Sequence, residues 1–138
     1  MTSGGAAPEE TSLQLRFLAE PTGVAPARHA VTDLARRVGL TEELIANVAL
    51  AVSEAITNAV LHGYTDREQG YIEVAAEAQG VEFVVTVTDD GNGMVPRPDS
   101  PGLGMGLPII ARLTRTMDVR SPESGVGTQL CMIFGPAG

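Results

Sequence analysis

Lysine is missing: all nine basic residues are arginine, set against seventeen acids for a net charge of −8. The gap excludes any phosphate-binding scheme built on a lysine, the P-loop first among them. The negative balance also argues against nucleic acid as the main partner, because neutralising phosphates needs a basic surface. Cysteine occurs once, at Cys131, so no intrachain disulfide can form and a reducing cytoplasm fits best. No apolar run approaches the roughly 20 residues that cross a bilayer. The opening MTSGGAAPEETS has neither the basic nor the apolar region of a secretory signal. What is present is 138 residues, 43% hydrophobic, with a mean hydropathy of +0.11. That is enough chain to bury one core.

Residues 1–11 read as a flexible tail, and 12–138 as one domain. From Ser12, Leu13, Leu15 and Phe17 alternate with Gln14 and Arg16, the period of a strand with one buried face. Pro21 and Gly23 break it. Val24 to Val38 reads as a helix with Ala27, Val31, Leu34, Ala35 and Val38 in one stripe, ended by Gly39. A second strand carries Ile72, Val74 and Ala76 inward. Gln79-Gly80 turns into a third, from Val81 to Asp89, with Val81, Phe83, Val85 and Val87 on one face. By the same period Asp89 points inward too, which is costly unless a ligand or a buried water meets its carboxylate. A helix resumes near Leu107, with Pro108 in its first turn and Ile109, Ile110, Leu113 and Met117 buried. Val119 begins a fourth strand, and Thr128 to Phe134 closes the sheet with Leu130, Met132 and Phe134 inward. The order β-α-α-β-β-α-β-β predicts an α/β (α+β) two-layer sandwich. Its sheet is mixed but mostly antiparallel, with three helices on one face.

The longest periodic stretch is TEELIANVALAVSEAITNAVLHG, from Thr41 to Gly63. Thr41 is the expected N-cap, Glu42 and Glu43 occupy the acid-favouring first turn, and Gly63 closes the end. At about 100° per residue, Ile45, Val48, Ala49, Val52, Ala55, Ile56, Ala59 and Val60 share one face. Almost opposite stand Asn47, Glu54, Asn58 and His62, with small Ala51 among them and Leu50 and Leu61 alongside. A face that mixes a carboxylate and an amide with apolar side chains is the wall of a pocket, not a solvated surface.

Three short motifs carry chemistry. Glu54-x-x-x-Asn58 offers a hard oxygen ligand for Mg²⁺ and, one turn earlier, a carboxylate able to activate a nucleophile. Asp89-x-Gly91-x-Gly93 follows a strand, where an aspartate can accept from an exocyclic amine and glycines let backbone approach a ligand. Gly102-x-Gly104-x-Gly106-Leu107 opens a helix whose free amides need no lysine to hold an anion. Each alone has an ordinary reading: a solvated helix face, an Asp-Gly turn, a hinge. In this order, with Gly125-x-Gly127-Thr128 after them, they gain specificity.

Together the four motifs, across residues 47–134, resemble the N, G1, G2 and GxGT elements of the GHKL (Bergerat-fold, histidine-kinase-like) ATPases. That superfamily includes chaperones, topoisomerases and sensor kinases. The run SEAITNAVLHGY, Ser53 to Tyr64, and the run GLGMGLPII are similar to those of the bacterial anti-sigma-factor serine kinases of the RsbW type. The resemblance implies roles residue by residue. Glu54 would be the catalytic base, Asn58 the Mg²⁺ ligand, and Asp89 the reader of the adenine amine in a pocket shaped by Gly91 and Gly93. Gly102, Gly104, Gly106 and Leu107 would wrap the ATP phosphates. Thr128 would support the nucleotide, His62 and Gly63 would border it, and Arg28 would contact a partner protein. It further implies a homodimer that sequesters a sigma factor and phosphorylates a serine of a STAS-domain anti-anti-sigma protein. The lid between Gly93 and Gly102, residues 94–101, is shorter than in several relatives. Two other readings use the same motifs: a nucleotide-gated binding module without catalysis, and a detached sensor-kinase catalytic domain.

Overall fold

The computed structural model describes residues 11–62, 70–91, 106–122, 125 and 127–135, with the side chains of His62 and Gly106 excepted. Residues 1–10 of the expected tail, Gly63, Gly93, Gly102, Gly104 and the 94–101 lid lie outside these.

Strand β1 (Ser12–Leu18) leads through a 3-10 turn at Pro21–Gly23 into helix α1 (Val24–Arg37). Helix α2 (Glu42–His62), strands β2 (Tyr71–Gln79) and β3 (Glu82–Asp89), helix α3 (Gly106–Leu113) and strands β4 (Thr116–Arg120) and β5 (Thr128–Phe134) follow. The sheet order is β1-β2-β3-β5-β4. Among the described residues every pairing is antiparallel, in place of the expected mixed sheet. The three helices pack on one face, over Ile72, Val74, Phe83, Val85, Val87, Leu130, Met132 and Phe134, each at most 1% exposed.

Local signals explain the elements. Gly39 takes φ +92 after α1. Its N–H reaches Arg36 O at 3.1 Å, and Leu40 N–H reaches Ala35 O at 3.0 Å, a Schellman closure that turns the chain back at once. Leu44 N–H then donates to Thr41 Oγ1 at 3.1 Å, the expected N-cap of α2. The four-residue connection makes α1 and α2 an antiparallel hairpin.

Four expectations need correction. Val81 does not join the buried face of β3. Gln79 pairs with Glu82, leaving Gly80 (φ +62) and Val81 as the two turn residues, and Val81 is 75% exposed. Helix α3 stops at Leu113, so Met117 lies on β4, which starts at Thr116 and not Val119. Ile109 is 45% exposed, because α3 is short and buries only Leu107 and Ile110 deeply. Finally, α2 is apolar enough over Glu42–Leu61, at mean hydropathy 1.7, to cross a membrane by length and composition alone. It packs instead against α1, α3, β3 and β5. A helix flanked by neighbours on two sides needs apolar residues around more than half of its circumference.

Candidate functional site

The site is assembled from the end of β3 outward. In the register, Asp89 faces Ile72 on β2 and Thr128 on β5. Directly opposed residues on one face of an antiparallel sheet stand about 5 Å apart at Cβ. Asp89 therefore sits between an apolar wall and a hydroxyl, all three at most 2% exposed. Its Oδ1 accepts from the Gly91 N–H at 3.0 Å, which bends the chain away from the strand and fixes the carboxylate. The neighbouring Asp90 serves the sheet instead. Its Oδ1 accepts from Tyr71 N–H at 3.1 Å and pins the start of β2.

The turn before β5 closes on this spot. Gly127 takes φ +89, and a Cβ there would stand 1.8 Å from Asp89 O, 2.7 Å from Asp89 C and 2.8 Å from Asp90 Cα. Only glycine lets this turn lie against β3, and that close approach brings Thr128 beside Asp89. Gly125 shares a positive φ of +77, but a Cβ there meets nothing within 4 Å among the described residues.

Helix α2 supplies the second wall, and its direction can be worked out. Thr41 and Leu44, at its N-terminus, share a cavity of about 290 Å³ with Ala78, Gly80, Val81 and Glu82. The helix thus begins over the Glu82 end of β3. From Leu44 to Asn58 it rises about 21 Å at 1.5 Å per residue. From Glu82 to Asp89 the strand advances about 23 Å. Asn58 arrives level with Asp89, and Glu54 stands one turn, about 6 Å, before it. On this face Asn58 is 8% exposed and Ala51 0%, packed into the core, while Asn47 and Glu54 are half-buried. Asn58 Nδ2 is buried without a hydrogen-bond partner among the described residues. A buried amide in that state marks a ligand-facing surface.

The third wall is α3, packed on α2, with Leu107 8% exposed at its first turn and Gly106 as its first residue. The described residues bring Asp89, Gly91 and Thr128 together at the end of β3, with Glu54 and Asn58 one turn apart on α2 and Leu107 on α3, the helices that pack on each other. Arg28 lies on α1, across the seam with α2, where its Nη1 donates to Ser53 Oγ at 3.2 Å. Two site neighbours, Ile72 and Ser53, escape the motif reading. The period of β2 points to Ile72, whereas only the packing of α1 on α2 reveals Ser53.

No group of three or more His, Cys, Asp or Glu able to hold a metal occurs among the described residues. A divalent cation here would therefore depend on Asn58, ligand oxygens and water. Mg²⁺ suits that arrangement, because it keeps several waters and shares phosphate oxygens.

Comparison with known proteins agrees with this geometry. Residues 17–134 match the family described as histidine kinase-like ATPase domain. The anti-sigma F factor of Clostridium novyi is 34% identical over 131 residues, covering 87% of this chain and 91% of that one. The anti-sigma F factor of Clostridium acetobutylicum is 33% identical over 134 residues, covering 89% and 92%. The solved RsbU and RsbW domains of a Mycobacterium tuberculosis protein superpose with a TM-score of 0.71 at 25% identity, over 91% of this chain and 33% of that one. The histidine kinase domain of the blue-light activated kinase of Erythrobacter litoralis shares the fold, with a TM-score of 0.59 at 24% identity, over 95% of this chain and 65% of that one. With residues 17–134 matched and relatives 33–34% identical over nearly their whole length, the chain belongs to the histidine kinase-like (GHKL) ATPase family, in its anti-sigma-factor kinase branch.

Proposed function

We propose that the chain is a cytoplasmic anti-sigma factor. It binds Mg-ATP, sequesters a sigma factor, and transfers the γ-phosphoryl group to a serine of a STAS-domain anti-anti-sigma protein. Residues 12–138 act as one nucleotide-binding domain, and two copies form a homodimer. The observation that supports the reading is that Glu54 and Asn58 lie one turn apart on α2, which packs on β3, the strand that ends at the buried Asp89. A base and a metal ligand would then stand on one helix, with Asp89 as the adenine-reading carboxylate at the end of β3.

In this reading Asp89 accepts from the adenine amine, held in place by Gly91 N–H, while Ile72 and Gly93 shape the base pocket and Thr128 supports it from the sheet. Gly102, Gly104, Gly106 and Leu107 wrap the phosphates with backbone amides, His62 and Gly63 border the opening, and Asn58 supplies its side-chain oxygen to the metal. Mg²⁺, when bound, would neutralise charge on the β- and γ-phosphates. Glu54 takes the proton of the incoming serine hydroxyl as its Oγ bonds to the γ-phosphorus. The bond from that phosphorus to the β–γ bridging oxygen breaks, and ADP departs. Arg28 meets the partner protein on the α1 side.

The names of the Clostridium relatives support the sigma-factor part of this reading. A pull-down from the native host with and without Mg-ATP, followed by incubation of the captured proteins with γ-labelled ATP, tests it. Capture of a sigma factor and a STAS protein, with label on a serine of the latter, is expected. Intact nucleotide binding with no transfer to any captured protein would sink the kinase assignment.

A further inference from the structure

Arg28 differs from the other described arginines. Arg36, Arg115 and Arg120 each pair with a carboxylate, at 3.5, 3.0 and 3.6 Å. Arg16 lies 3.9 Å over the Tyr71 ring. Arg37 and Arg112 are exposed. Arg28 is half-buried, yet no carboxylate pairs with it among the described residues of this acidic chain. Its Nη1 is held at 3.2 Å by a neutral hydroxyl, Ser53 Oγ. A guanidinium has five N–H donors, so an anchor through one leaves most of the fork available.

The anchor's position follows from the α1–α2 hairpin. Arg28 lies ten residues before Val38 and Ser53 twelve after Thr41, arms of about 15 and 18 Å at 1.5 Å per residue. They meet across the seam, one residue before Glu54. Around α2, Ser53 and Glu54 are separated by about 100°, and Leu50, Thr57 and Leu61 occupy that arc. Leu50 is 52% and Leu61 56% exposed. A protein that brings a hydroxyl to Glu54 must cover this apolar arc, and its far edge is Arg28.

We propose that Ser53 is a positioning residue. It fixes the Arg28 guanidinium at the rim of the phosphotransfer site, so that a hydrogen-bond acceptor on the docking partner is caught one residue from the catalytic base. The inference rests on the kinase reading given above. A flexible arginine loses rotamer freedom when it engages an acceptor, and the Ser53 anchor has already removed part of that freedom before the partner arrives. Docking is thereby registered on the same turn of α2 that carries Glu54.

The test measures phosphotransfer to a STAS-domain protein of the same host that accepts label from the unmodified chain. Ser53→Ala is expected to raise KM for that protein about fivefold to tenfold, the scale of ordering one long side chain on docking. The kcat, the KM for ATP and the thermal midpoint should stay essentially unchanged. Ser53→Thr, which keeps the hydroxyl, should restore the partner KM to within about twofold of the original. Arg28→Ala should raise KM at least as much as Ser53→Ala, and the double variant no further, since the two groups act as a unit. An unchanged partner KM in Ser53→Ala, or additive effects in the double variant, overturns the inference alone. Absence of transfer by the unmodified chain overturns the kinase reading and this inference with it.

Discussion

Replacing Gly127 by alanine separates the geometry of the site from simple loop stiffness, because Gly125 provides a matched control two residues away. Both glycines have positive φ, +89 and +77. Alanine at either position should carry a left-handed backbone cost of about 1–2 kcal/mol. Only at Gly127 does the new methyl collide, 1.8 Å from Asp89 O and within 3 Å of two further backbone atoms. Backbone cannot rotate aside as a side chain can, so the turn must lift off β3. Overpacking of this kind adds about 1–3 kcal/mol, for a total of about 2–5. At about 2.1 cal/mol/K per residue, the 138 residues have an unfolding entropy near 0.29 kcal/mol/K, so each kcal/mol moves the thermal midpoint about 3.4 °C. Gly125→Ala should then lower the midpoint by about 3–7 °C, and Gly127→Ala by about 7–17 °C. Displacing Thr128 and the Asp89 backbone should also weaken Mg-ATP by about tenfold or more in Gly127→Ala, the scale of one lost ligand hydrogen bond. Circular-dichroism melts and calorimetric titration of both variants measure the two effects. Equal midpoints for the two variants would refute the close packing of this turn on β3.

Other consequences follow from the same structure. Asp89→Asn keeps an oxygen for Gly91 N–H but removes the charge proposed to accept from the adenine amine. It should weaken ATP about 10- to 100-fold by titration calorimetry, with little change in the melt. Thr41→Ala removes the cap on Leu44 N–H and should cost about 1 kcal/mol. The thermal midpoint should then fall about 3–4 °C with nucleotide affinity intact. Phe83→Ala, fully buried on β3 opposite Phe134, should cost about 3–5 kcal/mol, read from the denaturant midpoint.

Much of the architecture is legible in the sequence because its periods are clean. Phe83, Val85, Val87 and Asp89 alternate without interruption, so spacing alone turns the aspartate inward. Thr41 and Gly39 signal the end of one helix and the start of the next within three residues. Other features escape single-sequence reading for identifiable reasons. Met117 continues the apolar spacing of α3 after the helix has ended, because Thr116 and Val119 also suit a strand and the pairing with β5 decides between them. Val81 looks like a strand residue, but a two-residue hairpin needs both Gly80 and Val81 for its turn. The anchoring of Arg28 by Ser53 depends on the α1–α2 packing, which no local pattern encodes. Nothing in the spacing of the GxGT motif reveals that Gly127 touches Asp89, which is a matter of register between distant strands.

The proposed phosphotransfer stands or falls with Glu54 as its base, at the nucleotide site proposed for α2, β3 and the Gly127 turn. The decisive comparison sets the unmodified chain against Glu54→Gln, using γ-labelled Mg-ATP and a STAS-domain protein of the same host. Transfer and nucleotide affinity are followed in parallel. The unmodified chain should place acid-stable phosphoserine on the partner. Glu54→Gln should lose about 100-fold or more of that rate, the scale of general-base catalysis, at an ATP affinity within about twofold. Equal transfer rates for the two proteins would contradict the assignment of Glu54 as the base.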